Sequence, residues 1–244
     1  MLRRDQDAYG HALHDAFRGM HSHEILERSD GYIAVIGHTT TYFNEYRDWA
    51  PHERKAIRRA RGRVLDIGCG AGRFMLYLQH KGLSVTGIDN SPGAIQVCRL
   101  RGLKSVRVMS VTQIGARLGR FDTILFFGGT FGLLSNARRG RWLLRRIHGI
   151  TGNRGRIIAQ SCDPHQMASF EQRRQHRVNL EQGKYPGEVR FRIRYKEYAT
   201  PWQDWLVVSK KEMRQLLKGT GWGITEFING QGSSYIAIID KDCV

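Results

Sequence analysis

The sequence predicts an α/β protein built on a doubly wound, mostly parallel sheet. Three observations carry that expectation. From Arg63 to Ser161 short apolar runs alternate with helical stretches at the spacing of βαβ units. Within that region "VLDIGCGAGR" (64–73) is an apolar strand holding one acid that runs into a glycine-rich turn. Over 162–208 the alternation stops, and it returns as one helix and two closing strands.

The elements follow in order. Residues 7–20 place Tyr9, Leu13, Phe17 and Met20 at helical spacing, which gives one apolar face. "HSHEILERSDG" (21–31) reads as a second short helix ended by Gly31, and 39–61 as two helical stretches broken at Ala50-Pro51. Residues 1–62 are therefore expected to form a helical lid on the domain 63–244. There "RVLDI", "SVTGID", "SVRVMS", "FDTILFF" and "GRIIAQS" are strands. The helices between them include one capped by Ser91 with Pro92 in first position. In the inserted segment "EVRFRIRYKEY" (188–198) alternates strictly, with Val189, Phe191, Ile193 and Tyr195 on one face and Arg190, Arg192, Arg194 and Lys196 on the other. That is an antiparallel strand with one wet or ligand-facing side, and "DWLVVS" (204–209) is its expected partner. The chain ends on "KKEMRQLLKGTG", a helix, then "WGITEFING" and "SYIAIIDK", two strands joined by a Gly/Ser turn.

The totals bound the class. The 244 residues are 41% hydrophobic and 25% charged, as in a globular domain with an insertion. No run is long enough to cross a membrane, and the basic N-terminus lacks an apolar h-region, so a soluble cytoplasmic protein is expected. Cys69, Cys98, Cys162 and Cys243 have no metal-ligand spacing and read as reduced thiols. His11, His14, His21 and His23 lack a carboxylate or cysteine to complete a metal set, so no metal site is expected. The net charge of +17, from 39 Lys and Arg against 22 Asp and Glu, favours anionic partners and keeps nucleic acid open as a partner. No RNP signature, zinc finger or helix-turn-helix pattern accompanies that charge.

The glycine turn raises the question of which nucleotide it serves. A dinucleotide site wants G-x-G-x-x-G, whereas Gly68, Gly70 and Gly72 form G-x-G-x-G around Cys69 and Ala71. Asp66, two residues before Gly68, would repel a pyrophosphate and attract an ammonium or sulfonium group. No G-K-[ST] follows, which excludes a P-loop. Asp89 closes the second strand, where a carboxylate with two acceptor oxygens can take both ribose hydroxyls.

"VLDIGCGAGR" followed by "VTGIDNS" resembles motifs I and II of the class I S-adenosylmethionine-dependent methyltransferases of the generic, small-molecule type. "FDTILFFGGTFGLL" (121–134) resembles their motif IV, and the last helix, strand, turn and strand resemble their closing elements. The resemblance covers roughly 63–161 and 209–241. It implies a Rossmann-like, seven-stranded, mostly parallel sheet with an antiparallel last strand, N-terminal helices and an inserted antiparallel β cap. It implies S-adenosyl-L-methionine as cofactor. Gly68, Cys69, Gly70 and Gly72 would face its methionine part, Asp66 would orient its amino end or the loop, Asp89 would hold the ribose, and Asn90 would lie near the adenine. Phe127 and Gly128 would close the site after the fourth strand. The third strand departs from the family's Gly-Asp-Ala: it reads Met109-Ser110-Val111, leaving Ser110 a hydrogen bond and Val111 a backbone contact.

Methyl transfer from a sulfonium needs alignment, plus a base when the acceptor must lose a proton. The tetrad typical of adenine amine methylation and the Pro-Cys of cytosine C5 methylation are both absent. The resemblance implies that 162–208 is a substrate cap. Tyr195, Trp202 and Trp205 are the candidate acceptor-binding residues there, with Asp163 and Tyr198 also available, and His165 is the candidate base. Tyr32, Tyr42 and Tyr46 either close over the cofactor or belong to the core. The expected activity is transfer to O or N of a small molecule. The alternative is an RNA methyltransferase or a nucleic-acid-binding protein that uses the basic surface.

Overall fold

A computed structural model describes residues 2–20, 23–166 and 170–241, with the backbone alone at 170–172. Its strands are β1 (His23–Arg28), β2 (Ile33–His38), β3 (Arg63–Ile67), β4 (Ser84–Asp89), β5 (Val106–Val108), β6 (Phe121–Phe126), β7 (Thr151–Cys162), β8 (Gly187–Tyr195), β9 (Tyr198–Ala199), β10 (Gln203–Val207), β11 (Trp222–Asn229) and β12 (Ser234–Lys241). Its α-helices are α1 (Ala8–Phe17), α2 (Pro51–Ile57), α3 (Arg73–His80), α4 (Pro92–Leu100), α5 (Ala137–Gly149), α6 (Phe170–Glu181) and α7 (Lys210–Leu217).

The main sheet has seven strands in the order β11-β12-β7-β6-β3-β4-β5. The β4–β5 and β6–β7 pairs are parallel, whereas β12 runs antiparallel to both β11 and β7. This is the Rossmann-like arrangement expected, with the antiparallel last strand inserted beside the sixth. A smaller antiparallel sheet has the order β10-β8-β1-β2, with β9 on β8. The pairing expected between 188–198 and 204–209 is thus present.

The chain divides into two compact units, one from the described residues of 1–49, 65–113 and 190–203, the other from those of 50–64, 114–189 and 204–241. The core of the first gathers Met75, Ile95, Cys98, Leu103 and Val106 behind the glycine turn, and Leu13, Ala71, Ala94 and Val97 beneath α1. Helices α1 and α4 meet at two glycines: a Cβ on Gly93 would lie 2.7 Å from the Gly10 Cα. Asp7 locks this crossing by accepting the N–H of Gly10 at 3.1 Å and of Gly93 at 2.8 Å. The core of the second unit is built on Leu143, Leu144, Ile147, Ile157, Ile158 and Leu216, and the Trp222 indole donates to the Leu144 carbonyl at 3.0 Å.

Two expectations for local structure need correction. Residues 23–28 and 33–38 form a β-hairpin rather than part of a helical N-terminus. Glu24 and Leu26 point inward in alternation, and β1 gains a partner in β8, through Leu26 opposite Ile193 and Arg28 opposite Phe191. A long-range pairing has overridden a local helical pattern. The second is 39–50, which forms two short 3-10 turns, so α2 is the one α-helix there. Helix α6 in the insertion was not expected. Its Asn179 is buried and donates to the carbonyls of Pro186 at 2.9 Å and Glu188 at 2.8 Å, which fixes the approach to β8.

Candidate cofactor and acceptor site

Strand β3 carries Asp66 inward at its end, and the chain then turns sharply into α3. Gly68, Gly70 and Gly72 have φ of 72°, 53° and 76°, a region that favours glycine over any residue with a Cβ. The N–H groups of Gly68 and Cys69 both reach the Ile88 carbonyl, at 2.8 and 3.1 Å, which fastens the turn to β4. Space is as restrictive as torsion: a Cβ on Gly70 would lie 2.5 Å from the Tyr9 hydroxyl. Arg101 braces the loop from outside through the Ala71 carbonyl at 2.5 Å.

Asp89 closes β4 opposite that turn. One carboxylate oxygen accepts the Gly70 N–H and the other the Ser91 N–H, each at 3.0 Å. Each oxygen retains a further lone pair, so the side chain can take ribose hydroxyls while holding the loop. Burial raises it to about 6, against the lowering by those N–H donors. Asp66 is buried too; burial and the Asp89 charge push it to about 7, and Arg73 opposes them. Its Oδ2 has no hydrogen-bond partner. A buried carboxylate oxygen left unpaired is costly unless a ligand satisfies it. An ammonium or sulfonium cofactor suits these surroundings; an anionic one does not.

The remaining residues of the first unit fall as follows. Asn90 is exposed beside Asp89. The Ser110 hydroxyl lies 2.9 Å from that of Thr112, and its N–H donates to the Gln113 side chain at 2.9 Å, so it closes a local turn. Val111 is buried at the start of that turn. The Tyr195 hydroxyl donates to Asp15 at 2.7 Å, and Lys196 joins the same carboxylate at 2.6 Å. Trp202 is exposed, with the Arg192 guanidinium 4.8 Å above its ring. Tyr198 stacks on His11 at 3.7 Å and Tyr46 on Tyr77 at 4.5 Å, while Tyr32 is exposed. His23 and His38 lie ring to ring at 4.5 Å. His21 and Cys243 lie outside the described residues.

In the second unit Phe127 is buried after β6, and the Gly128 N–H donates to the Gln160 side chain at 2.7 Å. Trp205 packs its indole against the backbone of Gly132, leaving no room for a Cβ there. His165 is exposed and pairs with Glu212 at 3.3 Å, and Glu212 also caps α7 through the Ser209 N–H at 2.7 Å. That pairing ties the candidate base His165 to the start of α7.

Two residues were not singled out from the sequence. Tyr9, on α1, presents its hydroxyl to Gly70 and packs edge-on to Tyr42 with ring centres 5.3 Å apart. Tyr42 in turn donates to Glu24 at 2.9 Å. Glu24 is 1% exposed, its Oε1 has no partner, and burial raises it to about 7. The available signal was the alternation of "HEILER", which sets an acid on the same face as Leu26.

A sequence profile of the family described as "Methyltransferase domain" matches residues 64–155. A ubiquinone biosynthesis O-methyltransferase from Xanthomonas oryzae pv. oryzae is 41% identical over 71 residues, covering 27% of this chain. The match spans only 30% of that relative's length. Among solved structures, a SAM-dependent methyltransferase from Bacteroides fragilis bound to S-adenosyl-L-homocysteine superposes with a TM-score of 0.83 at 25% identity, covering 100% of this chain and 98% of that one. The 1,6-didemethyltoxoflavin-N1-methyltransferase of Burkholderia thailandensis shares the fold at a TM-score of 0.52 and 16% identity, with coverage of 82% and 81%. S-adenosylmethionine is the cofactor that these matches support. Residues 64–155 are thus a methyltransferase domain, and the chain has the fold of the class I S-adenosylmethionine-dependent methyltransferases.

Proposed function

We propose that the protein transfers a methyl group from S-adenosylmethionine to an oxygen or nitrogen of a small-molecule acceptor. The observation that carries this reading is the partnerless, buried Asp66 oxygen at the head of the glycine turn, facing a second buried acid, Asp89. When bound, the cofactor supplies a methyl group activated on a sulfonium centre. Asp66 accepts a hydrogen bond from its amino end, and the backbone of Gly68, Cys69, Gly70 and Gly72 lies along its methionine part. Asp89 takes the ribose hydroxyls, and Asn90, Ser110 and Val111 border the adenine. Residues 1–49 and 190–203, which belong to the same compact unit as the glycine turn, act as cover and exclude water from the reacting atoms. The name of the Xanthomonas relative, an O-methyltransferase, supports oxygen as the accepting atom.

The test is methyl transfer from tritium-labelled S-adenosylmethionine to two acceptor pools, one of small phenols, amines and carboxylic acids, the other total RNA. Label in the low-mass pool is the expected result. Label confined to RNA would overturn the acceptor class, and label in neither pool would overturn the activity.

A further inference from the structure

We infer that Glu24 takes the proton from the methyl acceptor, which is a flat, apolar molecule whose reacting O–H or N–H is as acidic as that of a phenol. The inference rests on the methyltransferase reading above and adds to it a proton acceptor and an acceptor class. Strand register places Glu24 on one face of the small sheet. Opposite it stands Ile36, and Leu26 on the same face stands opposite both Ala34 and Ile193. Around this carboxylate that face is apolar, and its far end carries Arg28, opposite Phe191 and paired with Asp30. A leucine or glutamine there would remove the cost of a buried, half-satisfied acid, so the acid itself calls for a ligand.

The orientation of the carboxylate is set. Oε2 accepts from the Tyr42 hydroxyl at 2.9 Å, which leaves Oε1 as the oxygen without a partner. Tyr42 packs edge-on to Tyr9 at 5.3 Å, and the Tyr9 hydroxyl abuts Gly70 in the cofactor turn. Two rings therefore tie the free oxygen to the place where the methyl donor lies, all within one compact unit.

The chemistry balances without a further reagent. A lone pair of the acceptor atom forms the new bond to the methyl carbon, and the pair of the breaking S–C bond stays on sulfur. The acceptor's O–H or N–H proton passes to Glu24 Oε1, which ends neutral, as does the sulfur. Proton transfer of this kind is efficient when donor and base are matched in acidity. Burial holds Glu24 at about 7, within reach of a phenolic hydroxyl at about 10 and far from an aliphatic one. The apolar surroundings of Leu26, Ile36 and Ile193 suit a flat ring.

The test compares wild type with Glu24→Gln, Glu24→Asp and Tyr42→Phe, using S-adenosylhomocysteine and catechol as probes. Glu24→Gln is nearly isosteric and removes an unpaired buried charge, so it is expected to fold. S-adenosylhomocysteine affinity should stay within about threefold in all variants, while methyl transfer to catechol falls by about 10² or more in Glu24→Gln. Glu24→Asp should recover part of the rate, and Tyr42→Phe should lie between. The wild-type rate should rise through pH 7, and Glu24→Gln should lack that limb. Loss of S-adenosylhomocysteine binding in Glu24→Gln alone would overturn the inference and make Glu24 a cofactor ligand. Equal rates in wild type and variant would overturn it also. A wild type that binds S-adenosylhomocysteine yet neither binds nor methylates catechol would overturn the acceptor class while leaving the methyltransferase reading intact. A wild type that fails to bind S-adenosylhomocysteine would overturn both.

Discussion

Three buried acids, Glu24, Asp66 and Asp89, dominate the candidate site at the scale of single residues, and burial raises all three. Asp66 and Asp89 were legible in the sequence because each stands at the end of an apolar strand, before a glycine turn in the one case and the Ser91-Pro92 helix start in the other. Glu24 was not, since a six-residue run with an acid on either side of Ile25-Leu26 fits helix and strand alike until its partner is known. Its elevated value makes a prediction about stability. Glu24 has an ordinary value of 4.5 and a folded one of about 7, so the folded protein holds the proton more tightly than the unfolded chain. The stabilisation is therefore complete below pH 4.5 and is lost as pH rises through 7. Relative to Glu24→Gln, the wild type should lose up to about 3 kcal/mol between pH 4.5 and 8. Urea unfolding of both proteins across that range measures it. Parallel pH dependence would mean that Glu24 is ionised and compensated in the fold.

Elements explain how those residues are held. Helix α1 reaches the glycine turn because Gly10 and Gly93 let it approach α4 closely and Asp7 ties the crossing. Asp7→Ala removes a cap and leaves the Gly93 N–H without its acceptor, at a cost of about 1–3 kcal/mol. Because Tyr9 sits in the first turn of α1, S-adenosylhomocysteine affinity should fall as well. Thermal unfolding and titration of the variant check both, and unchanged affinity would show that Tyr9 is placed by other contacts. The periodicity of "DAYGHALHDAF" made α1 legible; the crossing partner was not, because no local pattern states which glycine faces which. The β1–β2 hairpin shows the same limit. Ile33, Val35 and Ile36 are β-branched and suit a strand, but the helix reading of 21–31 could be displaced only by knowing that β8 lies alongside.

The main sheet was legible at the scale of the whole molecule, because alternating elements and right-handed crossovers leave few topologies. The meaning of the net charge of +17 was not. Several of the arginines in the cluster 137–148 are engaged within the fold: Arg141, Arg145 and Arg146 donate to the carbonyls of Gln215, Gly219 and Ile114. Whatever duplex RNA the remaining basic surface takes up should accordingly bind without sequence preference, with an affinity that falls steeply with salt. Filter binding across a salt series would show it. Salt-independent, sequence-selective binding would instead favour an RNA acceptor.

Cofactor binding couples the site to the stability of the fold. S-adenosylhomocysteine at a hundredfold its Kd should raise stability by about 2.7 kcal/mol. The most direct measurement is a calorimetric titration of wild type and Asp89→Ala with S-adenosylhomocysteine. Saturable one-site binding by the wild type, weakened by about a hundredfold or more in the variant through loss of hydrogen bonds to a charged group, is the predicted result. Equal affinity in the two proteins, or none in the wild type, would contradict the assignment of the glycine turn and Asp89 as the methyl-donor site.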